Sequence, residues 1–278
     1  MPGLPLYIII FLLPLISSAG NSRITLFISQ QATDDARQGE KQILELGFGL
    51  YFDELYKLDT FELRMKSSLM LGTNFQYQKE LNRSFYLPTD NVFNGDFSLR
   101  YKLGWALDPF ISFSMNTAVM PAKRLSVDKI TTTAKIFDPI VYKENLGFGY
   151  SYRNKKEFFT SRLGFSMKQI RAELYTLQTD DRTTKERVER YVEETGISWK
   201  TDATFMFDSI FTYRGLFDGF STFEDLETWV VKFNNQLETV LYKALSIIIK
   251  VNLYYNRKQS INLQFIQSFR IGLIGKFN

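Results

Sequence analysis

The 278 residues contain no cysteine and no histidine. The absence of cysteine excludes disulfide bonds, thiolate catalysis and cysteine-ligated zinc or iron–sulfur sites. The absence of histidine removes the commonest general base, the commonest metal ligand and the Ser-His-Asp mechanism of hydrolases. No pair of carboxylates stands out as a replacement. We therefore expect a protein that is not an enzyme and that uses no cofactor or metal ion.

Long apolar runs are also missing beyond the N-terminus, and the mean hydropathy is −0.17. A protein that crosses a membrane with several helices would be less polar. A polar average is typical of membrane barrels, whose lumen and loops dilute the apolar lipid face. A strong charge of one sign is missing as well, since 34 Lys and Arg residues face 30 Asp and Glu residues without a dense basic run. We therefore expect no nucleic-acid partner.

The N-terminal residues resemble an export signal. Residues 4–15 form an apolar run, and small residues follow it, with Ser17 and Ala19 at the spacing of a signal-peptidase site. The run is too short to span a bilayer comfortably. We therefore expect residues 1–19 to be a cleaved signal peptide. The alternative is an uncleaved anchor, since no Lys or Arg precedes the run.

Apolar and polar residues alternate in segment after segment of the remaining chain. In one segment, Ile247, Ile249 and Val251 share a face, and Ser246 and Lys250 share the other. This alternation predicts β-strands, because successive side chains of a strand point to opposite faces. It recurs in twelve segments, at 22–30, 42–54, 60–79, 93–105, 109–119, 143–153, 157–171, 188–206, 209–218, 226–241, 244–256 and 260–278.

The connections between these segments alternate in length. The long ones are 31–41, 80–92, 120–142, 172–187 and 219–225, and the short ones are 55–59, 106–108, 154–156, 207–208, 242–243 and, against the alternation, 257–259. Transmembrane barrels pair long outer loops with short periplasmic turns in this way. The sequence therefore predicts an all-β protein, a transmembrane antiparallel up-and-down barrel of about 12 strands over residues 20–278. Its expected location is the outer membrane of a Gram-negative bacterium.

The apolar face of these strands is expected to contact outer-membrane lipid. A soluble lipocalin-like barrel would turn that face inward, but so many large side chains would overcrowd an interior of this strand number. Aromatic residues near segment ends also favour girdles at the two membrane interfaces. They are Trp105, Tyr150, Tyr152, Phe159 and Phe277 at periplasmic ends, and Trp229 and Tyr255 at outer ends.

The C-terminal segment resembles the terminal strand that the barrel-assembly machinery recognises. Phe269, Ile271 and Leu273 alternate with other residues, and the segment closes on the aromatic Phe277. We therefore expect these four residues to form an assembly signal. The expected partners are the barrel-assembly machinery and periplasmic chaperones.

Charged residues on the polar face are expected to point into the lumen. The predicted lumen-lining cations are Arg64, Lys66, Arg100, Lys102, Arg162, Lys168, Lys200, Lys232, Lys250 and Arg270. Fewer acids were assigned to that face, notably Glu45, Glu62, Asp202 and Glu238. One interpretation is a passage that prefers anions. The other interpretation is a closed interior, in which charges of both signs form ion pairs and hydrogen bonds that fill the lumen.

Four stretches also resemble a family of Gram-negative outer-membrane barrels known only as a domain of unknown function. They are FDPIVYKENLGFGYSY at 137–152, ETGISWKTDATFMF at 194–207, SIIIKVNLYY at 246–255 and LQFIQSFRIGLIGKF at 263–277. None of them is a catalytic motif. The resemblance therefore implies a fold and a location and adds no activity.

Three functions remain open from the sequence. The first is a non-enzymatic pore or transporter for small solutes, with a mild preference for anions. The second is a closed structural or surface-binding barrel, whose contact surface would be the loops 80–92, 120–142 and 172–187. The third is a lipid-modifying enzyme, which the absence of histidine disfavours. Continuity of the lumen distinguishes the first two.

Overall fold

A computed structural model describes residues 21–35, 39–78, 83–125, 130–180, 188–208, 210–242, 244–256 and 263–277. The predicted signal peptide lies outside these residues. The described residues form fourteen strands: β1 (Asn21–Asp35), β2 (Gly39–Lys57), β3 (Phe61–Gln78), β4 (Arg83–Tyr101), β5 (Asp108–Thr117), β6 (Ala122–Leu125), β7 (Ile130–Ala134), β8 (Ile140–Arg153), β9 (Glu157–Arg171), β10 (Tyr191–Met206), β11 (Phe211–Thr222), β12 (Asp225–Tyr242), β13 (Leu245–Asn256) and β14 (Gln264–Phe277).

Twelve of the strands close into one antiparallel barrel, which confirms the predicted fold. Each of these strands pairs with the next one in the chain, except that β5 pairs with β8, and β14 returns to pair with β1. At the seam, Leu26 lies opposite Leu273 on one side and opposite Phe48 of β2 on the other. Strands β6 and β7 form a separate two-stranded sheet within the outer connection between β5 and β8.

The outward face of the barrel is apolar and the inward face is polar. In β13, Ile249 points outward with 44% of its surface exposed, whereas the adjacent Ile248 is 4% exposed. Leu146, Phe148 and Phe165 are exposed in the same way on β8 and β9. A soluble barrel would bury these side chains, so the lipocalin-like alternative is wrong. A closed apolar band of this kind places the protein in the outer membrane.

The described part of the chain contains a single 3₁₀ turn, Thr176–Gln178. No helix in that part has the length and apolarity needed to cross a bilayer.

The predicted inner turns are short connections in the structure, although the first is 58–60 and the second 102–107, and only 154–156 keeps its predicted bounds. Three predicted outer loops are wrong. Residues 31–35 and 39–41 continue β1 and β2, residues 83–92 belong to β4, and residues 219–222 belong to β11. The turn between β11 and β12 is only Phe223 and Glu224. The connection predicted as a short turn at 257–259 lies outside the described residues. The strands continue beyond the hydrocarbon, where outward residues need not be apolar and the alternation that marks a strand disappears. The long outer connections that remain are 118–139 and 172–190.

Candidate functional site

The inward face of the barrel is the candidate site, and nine of the ten predicted cations lie on barrel strands. Seven of them form ion pairs, namely Arg64, Lys66, Arg100, Arg162, Lys168, Lys200 and Arg270. Lys232 and Lys250 form no ion pair with any described residue. Lys102 lies in the periplasmic turn after β4, where its backbone N–H donates to the carbonyl oxygen of Thr60.

Five charged side chains meet in the middle of the barrel and form what we term the crossing network. Lys66 Nζ lies 2.9 Å from Asp202 Oδ1, and Lys200 Nζ lies 2.6 Å from Asp96 Oδ2. Arg162 Nη2 contacts both carboxylates, at 3.3 Å from Asp96 and 3.6 Å from Asp202. Strands β3 and β10 lie five positions apart in the ring of twelve, so the contact between Lys66 and Asp202 spans almost the full width of the lumen.

Further ion pairs surround the crossing network. Arg23 and Arg214 share the buried carboxylate of Glu238, and Arg270 Nη2 lies 2.7 Å from Asp90 Oδ2. Buried pairs of this kind contribute little net stability, because desolvation offsets their attraction. Removal of one partner is costly, at about 3–5 kcal/mol, because it leaves the other charge unpaired.

Several acids of the inward face were not expected from the sequence. Asp53 pairs with Arg64, Asp96 with Lys200, and Asp218 with a further cation, Lys143. Their position in the alternation contained the signal, since Asp96 has the same parity as Arg100 and Asp53 the same parity as Glu45. The inward face therefore carries a more balanced charge than the sequence analysis assigned to it. Among the described residues, no group of three or more Asp or Glu side chains could hold a metal ion.

A large cavity occupies the outer half of the barrel. Its volume is about 930 Å³, its mouth includes Pro139, Asp180 and Asn256, and its floor includes Lys66 and Asp202 of the crossing network. A second cavity of about 30 Å³ lies on the periplasmic side of the network, between Glu62, Arg100 and Arg162. No described residue lines both cavities. The crossing network therefore separates an outer vestibule from the periplasmic end of the lumen.

The buried carboxylate of Asp138 ties together the two long outer connections at the mouth of this cavity. It accepts backbone N–H groups of Lys135 (3.2 Å), Glu173 (2.9 Å), Leu174 (2.7 Å) and Tyr175 (3.2 Å). Burial alone would raise the pKa of Asp138, but the N–H groups that stabilise its charged form outweigh burial and hold the pKa below its usual value. The tie is therefore strongest when Asp138 is ionised.

Removal of this tie should loosen the mouth while the barrel stays folded. In Asp138→Ala, we expect faster hydrogen exchange at the amides of residues 173–175. In the native protein, a lowered carboxyl pKa makes the stabilisation fully present above the unfolded pKa. The protection factors of these amides, which correct for the intrinsic exchange rate at each pH, should therefore stay high at neutral pH and fall only below about pH 4. Exchange measured by mass spectrometry checks both results.

Lys135→Gln is the matched control for Asp138→Ala. It removes the exposed 2.7 Å ion pair with Glu173 but keeps the backbone N–H that Asp138 accepts. Exposed pairs contribute at most about 1 kcal/mol, so exchange at 173–175 should hardly change. Equal effects of the two substitutions would contradict the role assigned to Asp138.

The predicted assembly residues lie on β14. Phe269, Ile271 and Leu273 point outward and are exposed, and Phe277 is the last residue of the strand. The alternating pattern of Phe269, Ile271 and Leu273 therefore lies on the lipid face. Recognition by the assembly machinery stays a prediction.

Comparisons with known proteins return only distant similarities. No family model and no curated protein matches the sequence, so the resemblance is supported as far as the outer-membrane barrel and not for the family of unknown function. The NanC porin has a TM-score of 0.46 at 10% identity, over 89% of this chain and 98% of its own. An outer membrane channel from Pseudomonas putida F1 has a TM-score of 0.40 at 10% identity, over 92% and 96%. The translocator domain of the autotransporter NalP from Neisseria meningitidis has 0.39 at 8%, over 91% and 88%. Likenesses of this size carry no argument about solute or partner.

Proposed function

We propose that the chain is a non-enzymatic outer-membrane pore for small solutes, with the outer cavity as its entrance and the crossing network as its constriction. The observation that carries the proposal is a polar cavity of about 930 Å³ whose mouth lies among outer residues and whose floor is a set of ion-paired side chains. A cavity of this size accommodates a small organic solute.

The side chains that form the floor of the outer cavity support the proposal of a constriction that can open. The crossing contacts join side chain to side chain, and two of the cations, Lys66 and Lys200, are lysines on flexible four-carbon stems. Movement of such a side chain needs no rearrangement of the strands. A solute with charged or polar groups can also replace one of these contacts with its own. We infer that the network selects solutes by exchange of ion pairs.

Removal of one crossing pair should widen the constriction. In the double variant Lys66→Ser with Asp202→Ser, we expect a several-fold rise in single-channel conductance in planar bilayers. Both charges leave together, so no buried charge stays unpaired and the net charge of the network is unchanged. The rise therefore reports the width of the passage. Wild-type protein should show smaller steps under the same salt.

The control for this experiment is the pair Lys135→Gln with Glu173→Gln, which removes an exposed ion pair from the outer connections. Its conductance should equal that of the wild type. Folding of each variant is checked by heat-modifiable migration. A folded double variant of Lys66 and Asp202 that conducts no better than the wild type would contradict the assigned constriction.

The second candidate is a closed structural or surface-binding barrel. The absence of a described residue common to both cavities favours it, because the network then acts as a permanent plug. Its contact surface would be the outer connections 118–139 and 172–190. Absence of conductance in both the wild type and the Lys66 and Asp202 double variant would favour this function over the pore.

We also propose that periplasmic chaperones deliver the chain and that the barrel-assembly machinery recognises β14. The outward, exposed placement of Phe269, Ile271 and Leu273 supports this, because their alternating pattern is accessible from the membrane side. Outer-membrane lipid then covers the apolar face of the finished barrel.

A further inference from the structure

Lys232 differs from the other cations of the outer cavity. It lines that cavity from β12 and is exposed to it. Lys66, Lys143, Lys168 and Lys200, which line the same cavity, each lie within 3 Å of a carboxylate oxygen. Among the described residues, Lys232 has no such partner. Its ammonium group lies 5.7 Å from the centre of the Tyr254 ring.

The carboxylate that lies opposite Lys232 in the sheet is already paired with another lysine. Asp218 of β11 is the residue directly opposite Lys232 in the strand pairing. Its Oδ1 instead lies 2.7 Å from Nζ of Lys143, which reaches it from β8 across the interior. Two cations therefore face one carboxylate. The surplus positive charge remains at Lys232, where it is accessible from the cavity.

Polar groups suited to a hydroxylated ligand surround Lys232. Tyr254 lies opposite Lys232 in the pairing of β12 with β13, and its hydroxyl accepts the Asn256 amide at 3.0 Å, which leaves the hydroxyl proton able to donate. Asn234 lines the cavity two residues along β12, and its amide forms no hydrogen bond with a described residue. The ring of Tyr254 adds an apolar surface for the carbon skeleton of a ligand.

We propose that Lys232, Tyr254 and Asn234 form a binding site in the outer cavity for a small hydroxycarboxylate. Lys232 pairs with the carboxylate of the solute, and Tyr254 and Asn234 bind its hydroxyl groups. The inference rests on the proposed pore function, with the outer cavity as the entrance. It adds the class of solute that this entrance binds. It also places an anion preference at one residue of the outer cavity, whose other four lysines each lie beside a carboxylate.

Gluconate and sorbitol test the site directly, because they differ only by a carboxylate in place of a terminal hydroxymethyl group. Calorimetric titration of the folded barrel in detergent at low salt should show binding of gluconate and none of sorbitol. Lys232→Met should weaken gluconate binding by about tenfold or more, which is the range of a charge-assisted contact. Lys155→Met removes the same charge from an exposed periplasmic turn and should leave binding unchanged.

Lys143 and Asp218 test the competition of two cations for one carboxylate. Lys143→Met should also weaken gluconate binding, because it frees Asp218 to pair with Lys232. The double variant Lys143→Met with Asp218→Asn should restore binding, since Lys232 is again without a carboxylate. Equal affinity for sorbitol, or no effect of Lys232→Met, would overturn the site.

The outcomes separate this site from the pore. A barrel that binds gluconate but is silent in bilayers keeps the site and refutes the pore. A conducting barrel that does not bind gluconate keeps the pore and refutes the site.

Discussion

A chain that lacks residues 265–278 is expected to fail to assemble. This deletion removes nearly all of β14, which pairs with β1 on one side and with β13 on the other. Both neighbours would then present unpaired backbone groups to hydrocarbon, where each unsatisfied group costs several kcal/mol. Arg270 would also be lost, which leaves Asp90 without its 2.7 Å partner. Heat-modifiable migration of the truncated protein measures the result.

Deletion of residues 122–134 is the matched control, because it removes a similar length of chain from outside the barrel. These residues hold β6 and β7, and Ala122 lies opposite Ala134, so the ends left by the deletion already lie close together. This variant should still assemble and show normal heat modifiability. Normal migration of the chain without residues 265–278 would rule out closure of the barrel through β14.

Ile249→Arg is expected to destabilise the barrel by about 2–4 kcal/mol, the range for a cation on the lipid face near the bilayer midplane. Ile249 points outward from β13 between Leu237 and Phe269, its partners on β12 and β14, and 44% of its surface is exposed to the membrane. An arginine there has no carboxylate within the band of apolar side chains. Urea unfolding in lipid vesicles measures the loss.

The adjacent Lys250→Ser provides the comparison for Ile249→Arg. Lys250 points inward, and it forms no hydrogen bond or ion pair with a described residue. Its removal should therefore change the free energy of unfolding by less than about 1 kcal/mol. Lys250 is not among the residues that line the outer cavity. A tolerated Ile249→Arg beside a destabilising Lys250→Ser would invert the assignment of faces.

The strands and their two faces could be predicted from the sequence, because the alternation of apolar and polar residues determines both. In β13, the alternation of Ile247, Ile249 and Val251 with Ser246 and Lys250 predicts the observed directions. The lipid environment requires an apolar side chain at each outward position within the membrane. This requirement ends where the strands leave the membrane, so the outer parts of β4 and β11 were assigned to loops.

The partners of the interior charges could not be predicted, because they depend on closure of the whole barrel. Parity places Lys66 and Asp202 on the inward face, but their contact depends on the tilt and register of the strands between them. Lys232 lacks a carboxylate partner among the described residues for the same reason, since Lys143 reaches Asp218 from β8. The local sequences around Lys143 and Lys232 contain no pattern that reveals their competition for Asp218.

The crossing network has a consequence for the kinetics of folding. Lys66 and Asp202 are 136 residues apart in the chain, and their contact forms only after the sheet has curved through most of a circle. Contacts of such sequence separation form late, because loop closure must precede them. Interactions absent from the transition state for folding act on the unfolding rate. Loss of one partner of the network should therefore shorten the time for which a folded barrel persists and leave the rate at which new barrels form unchanged.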